Sequence, residues 1–299
     1  MIRLAVRVPR AQAELVLAEL LELVPAGVEE VELGAGLLEF AVYGSPGELP
    51  SLPDLRAAAG DALVEISTSE LPDDWHERWK AFHRPVLIEA PSGDAALIEL
   101  PRFRVRPPWE APSSPANGPL QEIVIDPGQA FGTGAHATTR LCLELLLEAA
   151  ALQPSRGAVL DVGTGSGLLA IAAARLGFSP VIALDNERES VQAAVENAAL
   201  NGAEVEVHRL DLRFESLPSL AEGRQPPGPV LVIANLLRPL LLELAGKLPT
   251  ATEHLIAGGL LEREVDEVAA AFTERLGLGE RERRQSGEWA AVWMAADDA

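Results

Sequence analysis

The stretch Val159-Leu160-Asp161-Val162-Gly163-Thr164-Gly165-Ser166-Gly167 constrains the fold more than any other. A short apolar run meets an acid and then three glycines on alternate positions. Val159 to Val162 is too short for a helix and suits the middle of a parallel sheet, whereas Leu168 to Leu176 is an Ala/Leu run of helical length. Gly177, with Pro180 beyond it, stops that helix. The pattern predicts a buried strand, a tight turn and a helix start, in which glycines let backbone N–H groups approach a ligand at the positive end of the helix.

A dinucleotide site needs its third glycine where this chain has Leu168. The spacing D-x-G-x-G-x-G resembles instead the S-adenosylmethionine loop of class I methyltransferases. That ligand carries an ammonium, a carboxylate and a sulfonium, so Asp161 is expected to face its cationic end, beside Gly163 and Gly165. Val181-Ile182-Ala183-Leu184-Asp185 reads as a second strand ending in an acid, where a carboxylate would grip a ribose diol. An ordinary tight turn and a helix-capping Asp185 are the plainer readings of the same residues.

The 299 residues are enough for two domains, and a 48% hydrophobic content supports a well-filled core. Twenty-four basic against 45 acidic residues give a net charge of −21, which repels phosphate backbones and favours a basic protein partner over nucleic acid. Cys142 is the only cysteine, so no internal disulfide forms, as in a reducing compartment. The most apolar region, Pro229 to Leu248, is broken by Asn235, Arg238, Pro239 and Glu243 and does not read as a membrane span. With no signal-peptide pattern at the N-terminus, a soluble, cytoplasmic protein is expected, and a monomer. His76, His83, His208 and His254 lack partners at metal-ligand spacing, so no metal is expected.

In chain order, Ile2 to Val8 alternates as a strand, and Val16, Leu20, Leu23 and Val24 share a helical face. Val28 to Leu33 and Leu37 to Tyr43 read as a hairpin, followed by a helix near Pro53 to Ala59 and a strand Ala62 to Ser67. This βαββαβ order predicts a small ferredoxin-like α+β domain over residues 1–67. It holds no acid, base or nucleophile cluster, so it reads as a substrate-recognition module or a stabilising appendage. Residues 68–119 read as a connection: a capped helix carrying Trp75, Trp79 and Phe82 on one face, then a proline-rich linker from Pro101 to Pro119 that should not enter a sheet interior. Residues 120–299 then form a doubly wound Rossmann-like α/β domain. In it Ile123 to Ile125 is a strand, and the loop Asp126 to Thr139 runs into a helix capped by Thr138 or Thr139. Val191, Ala194, Val195 and Ala198 line one face of a helix that Asn201-Gly202 ends, and Val205 with Val207 alternate along a strand. Asp211 falls after that strand, where an adenine contact would be.

The segment Asp74 to Phe82, the loop Asp126 to Thr139, the glycine turn and Ala234-Asn235-Leu236-Leu237 together resemble the PrmA-type family, which methylates a large-subunit ribosomal protein, number eleven. The resemblance implies S-adenosyl-L-methionine as cofactor, contacted by Thr139, Gly163, Asp185 and Asn235, with Phe131 to His136 over its methyl-donor end. It also implies a basic ribosomal protein as partner, and methylation of lysine side-chain or N-terminal amines. The chain departs from the family at Gly258-Gly259-Leu260-Leu261 and Glu264, and in its C-terminal Ala295 to Ala299.

Asn235 follows the apolar strand Val230 to Ala234 and so is expected at its carboxyl end. Its uncharged amide can accept a hydrogen bond from an incoming amine and aim the lone pair. It is the one residue expected to act in catalysis, although a strand-end asparagine that caps the next turn fits as well. A related lysine methyltransferase of another protein, a small-amine methyltransferase and a non-catalytic cofactor-binding scaffold are the alternatives.

Overall fold

The computed structural model describes residues 2–13, 16–17, 20, 28–34, 36–44, 49–50, 52–70, 83–89, 102–113, 120–127, 130–152, 156–218, 230–250 and 252–296. The chain divides into two compact units, Met1–Phe82 and His83–Ala299. The helix expected over residues 73–82, with its aromatic stripe, lies outside the described residues.

In the first unit, strands β1 (Ile2–Pro9), β2 (Glu29–Gly34), β3 (Leu37–Gly44) and β4 (Glu65–Glu70) form an antiparallel sheet in the order β2-β3-β1-β4. Alternation sends Leu4, Val6 and Val8 of β1 and Leu38 and Phe40 of β3 to one face, where they pack with Val16, Leu20 and Leu55. Leu55 comes from helix α1 (Leu52–Ala59). The strand expected from Ala62 starts later, at Glu65, because Gly60–Ala62 close a 3-10 turn after α1. On the other face, Arg3 and Arg7 each approach the Glu39 carboxylate at 2.6 Å. Burial works to raise the Glu39 carboxyl, and the two guanidinium groups outweigh it and hold it below its ordinary range.

The second unit opens with a three-stranded sheet of β5 (Val86–Ile88), β6 (Arg102–Arg106) and β7 (Leu120–Val124), in that order. This corrects the expectation that the proline-rich stretch stays out of a sheet. Arg102-Phe103-Arg104-Val105-Arg106 has no internal proline and alternates strictly, burying Phe103 and Val105 while the arginines point outward. Pro107 and Pro108 follow the strand rather than interrupt it.

The main sheet has seven strands: β8 (Val159–Val162), β9 (Val181–Asp185), β10 (Glu206–Arg209), β11 (Val230–Asn235), β12 (Thr252–Leu261), β13 (Gly279–Ser286) and β14 (Trp289–Ala295). Their order is β10-β9-β8-β11-β12-β14-β13, the first five parallel and β14 antiparallel between β12 and β13. Helices α2 (Ala137–Leu152), α3 (Leu168–Arg175) and α4 (Arg188–Leu200) contribute to the core on one face, and α5 (Arg238–Ala245) and α6 (Val265–Leu276) to the core on the other. This is the doubly wound α/β architecture. Its order reverses between β8 and β11, whose carboxyl ends therefore open a crevice. Among the described residues, no helix is long and apolar enough to cross a membrane.

Two local expectations change. Helix α2 starts at Ala137, and its cap is His136, whose carbonyl accepts the Arg140 N–H (3.2 Å) and whose Nδ1 accepts the Thr138 N–H (3.3 Å). Thr138 and Thr139 lie inside the first turn. In α4, Val195 is exposed, and the buried face is Ser190, Ala194, Asn197 and Ala198. That face is partly polar because it meets backbone. Asn197 accepts the Asp126 N–H and donates to the Ser166 carbonyl, while Asn201 accepts and donates at Val124.

Candidate active site

Strand β8 is buried along its whole length, so the chain leaves it at the crevice and turns on its glycines. Gly163 and Thr164 N–H groups donate to the Leu184 carbonyl at 2.8 and 2.9 Å, which joins the turn to the end of β9. Gly165 has φ +54°, and a β-carbon there would lie 2.4 Å from the Phe131 carbonyl oxygen. The absent side chain is what lets the 131–136 loop close on the turn. The Ser166 N–H donates to Phe131 O and the Ser166 hydroxyl to Gly132 O, both at 2.8 Å.

Asp185 ends β9 and is 9% exposed. Its Oδ2 accepts the Gly165 N–H at 2.9 Å and its Oδ1 the Glu187 N–H at 3.0 Å. Asp161 stands differently. It is fully buried, its Oδ2 accepts the Thr164 hydroxyl (2.6 Å) and the Ala170 N–H (3.1 Å), and its Oδ1 has no partner among the described residues. Burial, with a contribution from the Asp185 charge, pushes its pKa up to about 7 against those hydrogen bonds. Asp161 does not line the cavity, which corrects its expected role. It braces the turn from beneath, because β8 is covered on both faces.

The cavity at the crevice has a volume of about 480 Å³. The glycine turn and Asp185 line one end; Thr139, Asn235 and Leu236 line it too, with Phe131, His136 and Trp289. Asn235 Nδ2 donates to Thr139 Oγ1 at 3.4 Å, and its Oδ1 is buried without a hydrogen-bond partner among the described residues. Phe131 is 59% exposed. Its ring meets His136 edge-on at 5.3 Å between centroids, and His136 meets Trp289 in the same way at 5.1 Å. Burial lowers the His136 pKa, and Nδ1 accepts from Thr138, so the neutral ring carries its proton on Nε2.

A second hollow of about 400 Å³ shares Gly163, Asp185 and Leu236 with the first and is lined by Val162, Leu184, Leu210 and Leu212. Asp211 lines this second hollow, and its carboxylate is held by the Arg213 guanidinium at 2.9 and 3.1 Å. The structure thus brings Phe131, Thr139, Gly163, Gly165, Asp185 and Asn235 to one cavity, with Asp211 beside it. Trp289 was absent from the expected site, and His136 was expected there only as the end of the loop over the methyl-donor end, with no role of its own. The position of His136 inside the glycine loop was a usable signal; Trp289 offered none in the sequence alone. Among the described residues, no group of His, Cys, Asp and Glu is arranged to hold a metal ion.

Comparison with known proteins gives this geometry a family. Residues 55–297 match the family described as ribosomal protein L11 methyltransferase (PrmA). The ribosomal protein L11 methyltransferase of Symbiobacterium thermophilum is 39% identical over 220 residues, which cover 74% of this chain and 65% of that protein, just under two thirds. That of Myxococcus xanthus is 35% identical over 303 residues, covering 97% of this chain and 96% of that one. The crystal structure of a ribosomal protein L11 methylase from Lactobacillus delbrueckii subsp. bulgaricus shares 30% identity and a TM-score of 0.54, across 70% of this chain and 98% of that chain. With its seven-stranded doubly wound sheet and glycine-turn crevice, the chain belongs to the ribosomal protein L11 methyltransferase (PrmA) family.

Proposed function

We propose that this chain is an S-adenosyl-L-methionine-dependent protein N-methyltransferase acting on lysine side-chain or N-terminal amines of ribosomal protein L11. The observation that carries the reading is the buried, unpartnered Asn235 Oδ1 in a cavity with the Asp185 carboxylate and an uncharged aromatic mouth.

The donor set fits the cofactor. Asp185 offers a carboxylate already fixed by two backbone N–H groups and suited to a diol, Gly163 and Gly165 leave the approach free of side chains, and the apolar hollow at Leu210 and Leu212 beside Asp211 suits a flat base. Thr139, Asn235 and Phe131 complete the binding set. Bound there, S-adenosylmethionine supplies an electrophilic methyl group on a sulfonium.

The remaining work falls to the chain. Asn235 Oδ1 accepts an N–H from the entering amine and holds its lone pair on line without adding negative charge. An acid at that position would favour the ammonium form; the apolar, aromatic mouth of Phe131, His136 and Trp289 favours the neutral amine. His136 does not take up the amine proton at Nε2, because that nitrogen already bears one. Rate enhancement therefore comes from orientation and desolvation rather than from a strong base.

The net charge of −21 favours encounter with a basic substrate at low salt. Residues 1–67, without chemistry of their own, supply substrate recognition. Calorimetric titration with S-adenosylmethionine tests the cofactor assignment: saturable one-to-one binding is expected, and no binding to the folded chain would remove it.

A further inference from the structure

Among the described residues the Asn235 amide is held by a single long hydrogen bond, so packing must set its orientation. Strands β11 and β12 run parallel with Asn235 opposite Gly258. A β-carbon at Gly258 would lie 2.3 Å from Cys142 Sγ and 3.2 Å from Asn235 Oδ1. Gly258 is not among the positive-φ glycines, so its conformation does not require glycine. The position is bare because the thiol and the amide oxygen already fill the space.

Cys142 comes from α2, three residues after Thr139, and therefore shares a helix face with it. The amide of Asn235 meets Thr139 through its nitrogen, and its oxygen lies beside the gap that Cys142 fills. Cys142 is fully buried, and burial, with the Asp161 charge adding to it, raises its thiol pKa above the ordinary value. It stays a neutral thiol that supplies volume rather than nucleophilicity.

We infer that Cys142 is a positioning residue: its sulfur, matched to the missing side chain of Gly258, fixes the direction of the Asn235 carbonyl. This rests on the reading of Asn235 as the group that aims the amine.

Shrinking the side chain in Cys142→Ala lets the amide swing, so kcat at saturating cofactor should fall about tenfold, a larger change than any in the Kd for S-adenosylmethionine or the KM for protein substrate. Gly258→Ala should also lower kcat, because its new methyl meets the sulfur. The double variant Cys142→Ala/Gly258→Ala should recover toward the wild-type kcat, since the methyl occupies the vacated volume. A purely structural role would move Tm without this sign reversal in the kcat of the folded enzyme.

Full kcat in Cys142→Ala, or a double variant no faster than the poorer single one, overturns the inference. Asn235→Ala is run alongside. If it is inactive while Cys142→Ala is normal, only the positioning role falls; if it too is active, the Asn235 reading falls as well. Should Cys142→Ala fail to fold, Gly258→Ala with and without Cys142→Ser carries the test. The shorter serine should raise the kcat of Gly258→Ala, and no rise overturns the proposal.

Discussion

Replacing Asp185 by Asn keeps the shape of the side chain and removes its charge and one acceptor oxygen. In the structure both oxygens are used, one by the Gly165 N–H and one by the Glu187 N–H. The amide can accept from one of these, and its NH₂ then faces the other donor. A hydrogen bond to a charged group contributes about 1.5–3 kcal/mol, and an amide acceptor retains only part of it. The apo protein should therefore lose about 1–3 kcal/mol, offset in part because the neighbouring charge no longer opposes ionisation of Asp161. Cofactor affinity should fall by about ten- to a hundredfold, the equivalent of about 1–3 kcal/mol, as the acceptor shared by two ribose hydroxyls loses its charge and one of its oxygens. Calorimetry at fixed pH and salt measures this, with a thermal melt confirming the fold. An analogue lacking the ribose hydroxyls separates the diol from the turn: it should bind wild type poorly and lose little further affinity in Asp185→Asn. Unchanged affinity for S-adenosylmethionine in the folded variant would remove Asp185 from the ribose site.

Gly165→Ala should weaken cofactor binding at least about tenfold and lower Tm, because its β-carbon would sit 2.4 Å from the Phe131 carbonyl. The left-handed backbone adds about 1–2 kcal/mol of strain; calorimetry and a melt indistinguishable from wild type would count against this packing. Asn235→Ala should lower the single-turnover rate at saturating cofactor by about a hundredfold with the fold retained, and Asn235→Asp should not restore it; a near-normal rate in the folded Ala variant removes Asn235 from the mechanism. His254 is buried, and burial followed by the nearby Arg281 charge lowers its pKa from 6.5 to about 4. Between these values the unfolded chain binds a proton that the folded one does not, so this residue makes stability rise with pH across that window, by up to about 3 kcal/mol. Asp161, raised from 3.8 to about 7, acts with the opposite sign over an overlapping window, so the His254 effect is read as the difference between wild type and His254→Gln. Denaturant melts at pH 4.5 and pH 7.5 that show the same difference would contradict it.

The strand and glycine turn at 159–167 and the strand at 181–185 were legible because each is short and self-contained: an apolar run, an acid, and glycines at fixed offsets. Asn235 was legible in the same way, as the residue that ends an apolar strand. Asp161 was misread because spacing puts a carboxylate beside the turn without saying which side of a fully covered strand it occupies. The stretch from 101 to 119 was misread because proline density hid the alternation of Arg102 to Arg106. Val195 was placed inside because apolar periodicity outweighed Asn197 and Asn201, whose burial depends on the backbone of β7 and the glycine turn. Trp289 could not be placed in the site without the sheet order. Pairing of β14 beside β12 sets Trp289 opposite Leu261 at the crevice, where it meets the ring of His136.

Transfer of a methyl group to an amine of ribosomal protein L11 is measured by incubating the chain with methyl-labelled S-adenosylmethionine and purified L11. Label should appear on L11 at lysine side-chain or N-terminal nitrogens, located by peptide mass spectrometry, and should fall to background with Asn235→Ala. A folded, cofactor-binding enzyme that leaves L11 unlabelled, or that labels other basic proteins equally well, would rule out L11 as its specific substrate.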